Sequence, residues 1–270
     1  VLADKFLKLK DLLKKEKKVM IAFSGGVDSS LLLYYALKTL KKEKVLPVIF
    51  LSPTYPLDQL KKATQFLKRF KKEGIFIFTE ELTEKNFKNN PPERCYYCKK
   101  SAYEKLLLLK DFFKVDKILE GTNLSDLSDF RPGIKALKEL KILSPYLQLK
   151  IDKSTIRKKA KALKIPHYNQ PSSPCLSSRI PYFQKIDELK LAKIEKGEEF
   201  LKKKGLKDFR LRIIGDKIAK IELKEKNDYW LLLRKREVIV KNLKKIGFQE
   251  VYLDLAGYRP MGLQWITKKS

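Results

Sequence analysis

The sequence predicts a doubly wound α/β domain with a mainly parallel sheet, followed by a smaller α+β domain. Three observations carry that prediction. Short apolar runs alternate with helical patterns through the first two thirds of the chain. The first run ends abruptly in a serine–glycine turn that leads into a leucine-rich helix. After Pro181 the order changes to helix–strand–strand–helix–strand. Alternation of the first kind implies βαβ units and a parallel sheet, whereas the second order does not continue it.

Residues 1 to 18 carry Leu2, Phe6, Leu9, Leu12 and Leu13 at helical spacing among lysines, the pattern of an amphipathic helix. Val19 to Phe23 is a buried parallel strand by its unbroken apolar run. Asp28-Ser29-Ser30 then opens a helix through Leu40, since Asp and Ser suit a helix N-terminus. Val45–Leu51 is a second strand, 57–70 a helix, and Ile75–Phe78 a third strand. Asn89-Asn90-Pro91-Pro92 breaks the chain, and Cys95-Tyr96-Tyr97-Cys98 is expected in a loop before a helix over 101–113. Residues 117–120 form a strand running into Gly121-Thr122-Asn123. A helix over 151–163 starts behind Asp152-Lys153-Ser154, and Gln170 to Cys175 forms an irregular Pro/Ser-rich turn. Beyond it lie a helix over 187–204, strands near 209–214 and 219–223, a helix over 229–246 and a strand over 250–255. The expected domains are therefore 1–183 and 184–270, the second a substrate-binding or oligomerisation domain.

Composition bounds the function. The chain has 270 residues, 43% of them hydrophobic, which is enough for a core. No apolar stretch approaches the ~20 residues of a bilayer span, and the lysine-studded start lacks the apolar run of a secretory signal. The expectation is a cytoplasmic protein with no membrane partner. The formal charge is +29, which invites a nucleic-acid reading because clustered cations bind phosphate. Yet only ten of the 61 basic residues are arginine, and the lysines are spread over almost every helix. Lysine keeps a helix face wet, while phosphate recognition favours arginine's planar fork. Nucleic acid is thus not the expected partner. The three cysteines, Cys95, Cys98 and Cys175, are too few and odd in number for a disulfide framework and point to chemistry or metal.

The strongest local signal is Ser24-Gly25-Gly26-Val27-Asp28-Ser29-Ser30 between strand and helix. Two glycines let the backbone turn sharply and approach an anion, and the helix N-terminus faces that anion with positive partial charge. No Gly-Lys-Ser/Thr ending is present, so this is not the kinase-type loop. A carboxylate at Asp28 beside phosphate calls for an intervening cation, which suggests Mg²⁺. The segment resembles the PP-loop of ATP pyrophosphatases, of adenine nucleotide alpha hydrolase-like fold, which cleave ATP between the α and β phosphates. The resemblance implies ATP and Mg²⁺ as cofactors, with adenylation as the first half-reaction.

The cysteines bear on the second half-reaction. Three thiolates can hold three irons of a [4Fe-4S] cluster and leave the fourth open. With His167, the only histidine, they could instead form a zinc site. Redox or persulfide chemistry and plain packing are further readings. Glu93 to Lys99, Glu120 to Asn123, and Ser173 to Tyr182 resemble the LarE family of sulfur transferases, and Arg210-Leu211-Arg212 with Gly215-Asp216 and Ile221-Glu222 is similar to that family's substrate-domain pattern. What this implies is adenylation of a carboxylate of pyridinium-3,5-dicarboxylic acid mononucleotide, then sulfur insertion to give the thiocarboxylate of nickel-pincer nucleotide biosynthesis. The family has a branch that sacrifices one cysteine, matched by Cys175, and a branch with a three-cysteine cluster. Cys95 and Cys98 beside Cys175 point to the cluster branch.

The implied roles are as follows. Ser24, Gly25, Gly26, Asp28, Ser29 and Ser30 cradle pyrophosphate and Mg²⁺, and Gly121, Thr122 and Asn123 meet ATP. Lys99 and Arg179 neutralise phosphate or carboxylate, and Asp126 is a weaker candidate for metal or adenylate. Arg210 and Arg212 share a strand face by period two and suit the mononucleotide phosphate, with Glu222 orienting them. Glu198 and Asp228 are further candidates, and Tyr96 and Tyr97 could stack on a base. A PP-loop tRNA thiolase shares the activation chemistry and is the alternative enzyme. A non-catalytic nucleotide or RNA module is a third reading, against which the intact loop stands. A homo-oligomer using sulfide is the expected assembly.

Overall fold

A computed structural model describes residues 2–128, 130–170 and 174–258. Most of the Pro/Ser-rich turn before Cys175 and the last twelve residues, 259–270, lie outside the described residues. The chain runs α1 (Leu2–Lys14), β1 (Val19–Ala22), α2 (Val27–Thr39), β2 (Val45–Leu51), α3 (Leu57–Arg69), β3 (Ile75–Phe78), α4 (Lys85–Lys88), α5 (Arg94–Phe112), β4 (Lys117–Leu119), α6 (Gly133–Glu139), α7 (Pro145–Gln148) and α8 (Lys153–Ala162). It continues through α9 (Glu188–Lys203), β5 (Phe209–Ile214), β6 (Ile218–Leu223), α10 (Lys226–Arg234), α11 (Arg236–Ile246) and β7 (Glu250–Asp254). None of these helices is long and apolar enough to cross a membrane.

Two compact units divide the chain. One holds Val1–Glu81 with Glu93–Ser173, and the other holds Leu82–Pro92 with Pro174–Ser270. The first unit contains a parallel sheet in the order β3-β2-β1-β4. Side chains of β1 alternate between faces, as strand geometry requires. Val19 and Ile21 pack with α1, α2, α3, α7 and α8, while Met20 packs with α5 and α6 through Tyr103, Leu106 and Leu137. Helices therefore cover both faces, as a doubly wound sheet demands. The strand order reverses between β1 and β4, and open α/β sheets bind ligands at such a switch point, outside the carboxyl ends of the strands.

The second unit pairs β5 with β6 antiparallel and β6 with β7 parallel. Asp187 caps α9 by accepting from Lys190 N at 2.8 Å, and Gly247 ends α11 in the left-handed region at φ 110°, the usual glycine stop. The 82–92 excursion joins this unit through Asn90, whose side-chain amide donates to the carbonyls of Ile180 and Pro181.

Two readings of the sequence are corrected. The expected helix over 229–246 is two helices, meeting at Lys235. Cys95 and Cys98 do not lie in a loop, because α5 begins at Arg94. No glycine or proline follows Pro92 to delay that helix, and its first turn packs on α6.

Candidate active site

Residues 24–30 connect β1 to α2. Phe23 N donates to Val48 O at 2.7 Å, which carries the strand one residue past its end. Gly25 then turns at φ +69°, and a Cβ there would stand 2.9 Å from Ala63 N and 3.0 Å from Gln59 O. Glycine is thus required twice, by backbone conformation and by the approach of α3. The Tyr55 hydroxyl donates to Ser24 O at 2.9 Å. Ser24 N donates to Ser29 Oγ at 3.2 Å, and Ser29 Oγ donates to Gly26 O at 3.2 Å. These two serines, expected to contact pyrophosphate, brace the loop. Ser30 is buried, and its backbone N–H makes the first bond of α2, to Gly26 O.

Gly26 differs from Gly25. Its backbone is ordinary, φ −74° and ψ 164°, and a Cβ would meet only Ser24 Oγ, at a comfortable 3.5 Å. Neither conformation nor packing calls for glycine here, but the close approach of a ligand would. Beyond it, the N–H groups of Val27, Asp28 and Ser29 begin α2, where helix geometry gives them no intrahelical acceptor. They form an anion site of the helix-dipole kind.

Asp28 stands beside that site. Lys153 Nζ pairs with its Oδ2, and the Tyr146 hydroxyl donates to its carbonyl at 3.2 Å. Its Oδ1 is buried without a hydrogen-bond partner among the described residues. Burial pushes the carboxyl above its ordinary value, against the opposing pull of Lys153. A half-buried carboxylate with one oxygen enclosed and unpartnered, next to an anion site, fits a hard cation such as Mg²⁺, which takes carboxylate and phosphate oxygens.

The carboxyl end of β4 closes the other side. A Cβ on Gly121 would lie 3.1 Å from Ser29 N and 3.2 Å from Asp28 Cβ, so the 121–123 turn abuts the first turn of α2. Glu120 is buried and accepts from Thr122 N at 3.0 Å, from Thr122 Oγ1 at 2.5 Å and from the Ser144 hydroxyl. Asn123 and Asp126 form a reciprocal cap, Asn123 N donating to Asp126 Oδ2 at 2.9 Å and Ser125 N to Asn123 Oδ1 at 3.1 Å. Asp126 Oδ1 pairs with Arg131 at 2.9 Å. Both oxygens of Asp126 are therefore engaged within the protein.

Cys95 is exposed and Cys98 half-buried, one helical turn apart in the first turns of α5, so they share a face. Lys99 Nζ lies 3.9 Å from Glu120 Oε2, and the Tyr96 hydroxyl donates to Glu139 of α6 at 2.8 Å. Burial raises the Tyr103 hydroxyl well above its ordinary value, with Glu120 and Cys98 adding to the effect. His167 has α3 groups, Lys62 and Asp58, as its charged neighbours, and burial lowers its pKa. Two soft thiols at this spacing are the donor chemistry of an iron–sulfur cluster, while the third cysteine, Cys175, belongs to the other unit. Among the described residues no three His, Cys, Asp or Glu side chains are grouped as a metal site.

In the second unit Cys175 is half-buried at the head of a short 3-10 turn, Leu176–Arg179. Arg179 is 2% exposed and pairs bidentately with Glu198, at 2.9 and 3.1 Å. Its remaining nitrogen donates to Pro174 O, Cys175 O and Ser178 Oγ. Arg179 thus holds the cysteine turn in place, its guanidinium nitrogens engaged within the unit. Arg212 donates to Ser178 O at 2.7 Å and lies 2.7 Å from Glu222 Oε1, off the line of a hydrogen bond. Lys220 reaches the same oxygen at 3.0 Å and Asp254 at 2.9 Å. Arg210 rests over the Tyr258 ring at 4.9 Å, and burial, then Arg179, lower its pKa. Asp228 is buried and accepts from Lys207 N at 3.3 Å.

Lys153, Tyr146, Ser144 and Tyr55 escaped the reading of the sequence. Lys153, Tyr146 and Tyr55 meet the loop and Ser144 meets Glu120, each from a distant segment, and no local spacing announces them.

Known proteins add to this geometry. The family model for NAD synthase matches residues 2–93, which span the loop. An uncharacterized protein of Synechocystis sp. is 31% identical over the full length of both chains. An uncharacterized protein of Methanocaldococcus jannaschii is 35% identical over 96% of this chain and 99% of its own. The pyridinium-3,5-bisthiocarboxylic acid mononucleotide synthase of Lactiplantibacillus plantarum is 31% identical over 96% of this chain and 93% of its own.

Proposed function

The chain belongs to the LarE family, that of the Lactiplantibacillus synthase, and from that premise we propose that it is an ATP-dependent sulfur transferase that adenylates a carboxylate of a pyridinium mononucleotide. The observation that carries the reading is the pair Gly26 and Asp28. One is a glycine that the fold does not require, and the other a half-buried carboxylate with one oxygen enclosed and unpartnered among the described residues. Both stand at the switch point of the sheet. A phosphate chain over Gly26, with a cation at Asp28, accounts for both.

In the proposed reaction a substrate carboxylate oxygen attacks the α-phosphorus of ATP, the α–β bridging bond breaks, and pyrophosphate leaves. The loop N–H groups and the α2 N-terminus stabilise the charge that gathers on the leaving group. Mg²⁺ bound at Asp28 would supply further neutralisation. Lys153, which pairs with Asp28 here, would then be available to the phosphates. In the second half, a sulfur nucleophile attacks the acyl carbon and AMP leaves, giving the thiocarboxylate. Lys99 serves the anionic groups on the α5 side. Arg210 serves the mononucleotide phosphate in a second unit that binds substrate, and Arg212, held by Glu222 and Ser178 O, positions the strand that carries it.

For the sulfur source, the pair Cys95 and Cys98 favours the cluster branch, with Cys175 as third ligand. Such a [4Fe-4S] cluster would supply an open iron for hydrosulfide when bound. A second reading has its own support. Cys175 stands on a turn held by Arg179 and Arg212 within one unit, an arrangement that suits a single sacrificial thiol.

The test is product analysis with the pyridinium dicarboxylate mononucleotide. AMP and pyrophosphate are expected, and ADP would sink the proposal. Asp28→Ala is expected to abolish pyrophosphate release while the protein stays folded. Iron and labile sulfide in anaerobically prepared protein, lost on Cys95→Ala, support the cluster. Loss of one sulfur from the protein mass after turnover would move the assignment to Cys175 alone.

A further inference from the structure

Lys99 follows a path that the fold has cleared for it. Gly133, the first residue of α6, sits against the first turns of α5, and a Cβ there would come within 2.8 Å of Lys99 Cδ, 3.3 Å of Lys99 Cε and 3.2 Å of Cys95 O. The stem of Lys99 therefore runs across the bare backbone of Gly133. Glycine is a poor helix former, and nothing in the conformation of Gly133 asks for glycine. At the far end of the path is Glu120, buried, its oxygens already shared by Thr122 and Ser144. Lys99 Nζ stands 3.9 Å from it and its side chain keeps 35% exposure. That distance is beyond a hydrogen bond, so the ammonium is steered without being consumed. The next residue, Gly121, packs against Ser29 N.

We propose that Gly133 and Glu120 are positioning residues that aim the Lys99 ammonium at the phosphates of the nucleotide, Gly133 by clearing its path and Glu120 by drawing its charge. The inference rests on the ATP reading above and deepens it. Neither residue touches the nucleotide, and both act through Lys99.

The experiment measures binding of α,β-methylene-ATP with Mg²⁺, together with thermal midpoints. The proteins are the full chain and its Lys99→Met, Gly133→Ala and Glu120→Gln variants, with the two double variants that combine Lys99→Met with each of the others. Lys99→Met is expected to weaken binding about tenfold, the worth of one charged contact. Gly133→Ala is expected to weaken it in the same direction while its thermal midpoint stays within about 3 °C of the parent, because a flexible stem is what the new methyl displaces. In the Lys99→Met background the second substitution should add nothing, since residues that act through one side chain are not additive. Parent-like binding by Gly133→Ala and Glu120→Gln overturns the inference. So does parent-like binding by Lys99→Met, or full additivity in the double variants. A parent protein that does not bind the analogue overturns the ATP reading itself, and this inference falls with it.

Discussion

The two loop glycines look alike in sequence and differ in physics. Gly25 holds a positive φ against a crowded α3, so Gly25→Ala should cost at least ~1–2 kcal/mol for the left-handed backbone, plus the displacement of α3. Gly26→Ala meets no such obstacle and should change stability by less than about 1 kcal/mol, yet remove nucleotide binding by covering the approach. Thermal melts and calorimetric titration with ATP separate the two; equal melting losses would refute the distinction. Arg179 makes a different point. Its pair with Glu198 is nearly dry, at 2% and 9% side-chain exposure, and removing one partner of such a pair typically costs ~3–5 kcal/mol. Arg179→Met should therefore lower the denaturant midpoint of the second unit. A variant that keeps parental stability and loses only substrate affinity would return Arg179 to the ligand-binding role its sequence context suggested.

At the scale of elements, caps are the features that sequence and geometry share. Asp152 accepts from Thr155 N at 2.7 Å and from Ser154 Oγ at 2.8 Å, and so begins α8 with Lys153 as its first residue. Those hydrogen bonds, the backbone one first, hold its carboxyl below the ordinary 3.8. A depressed carboxyl contributes stability that is present above its ordinary pKa and is lost as pH falls through the lowered value. Asp152→Ala should cost ~1 kcal/mol near neutrality and less once the carboxyl is protonated, and it should loosen Lys153 from Asp28. A cost that does not shrink as the pH is lowered into the acid range would show that the charged cap is not its source. The parallel strands, the loop and the caps were legible because each is written in consecutive residues. The start of α5 was not, since Arg94 to Lys99 has no apolar periodicity and gains its helical support from Gly133 and Glu139 of α6. Residues 133–148 likewise fold into α6 and α7 through contacts with α5 and α1, and Lys153 was hidden because its partner lies far away in sequence.

For the whole molecule, the charge of +29 sets the remaining choice, between a small nucleotide substrate and RNA. Summed over a surface, such a charge raises the local concentration of any polyanion without selecting one. The arginines around the Cys175 turn and on β5 do not form a surface array. Arg179 and Arg212 are buried among carboxylates, and Arg210 is half-buried over Tyr258. Attraction through dispersed lysines is counterion release, which weakens steeply with salt. Transfer RNA should therefore bind at low ionic strength and be released by about 0.2 M salt, with pyrophosphate release indifferent to it throughout. Filter binding across a salt series, run beside a pyrophosphate assay with and without the RNA, makes the comparison. The small-nucleotide reading predicts a steep salt slope and a flat pyrophosphate trace. Binding that survives the salt, with pyrophosphate release that rises when RNA is added, would transfer the chain to the thiolases that act on RNA.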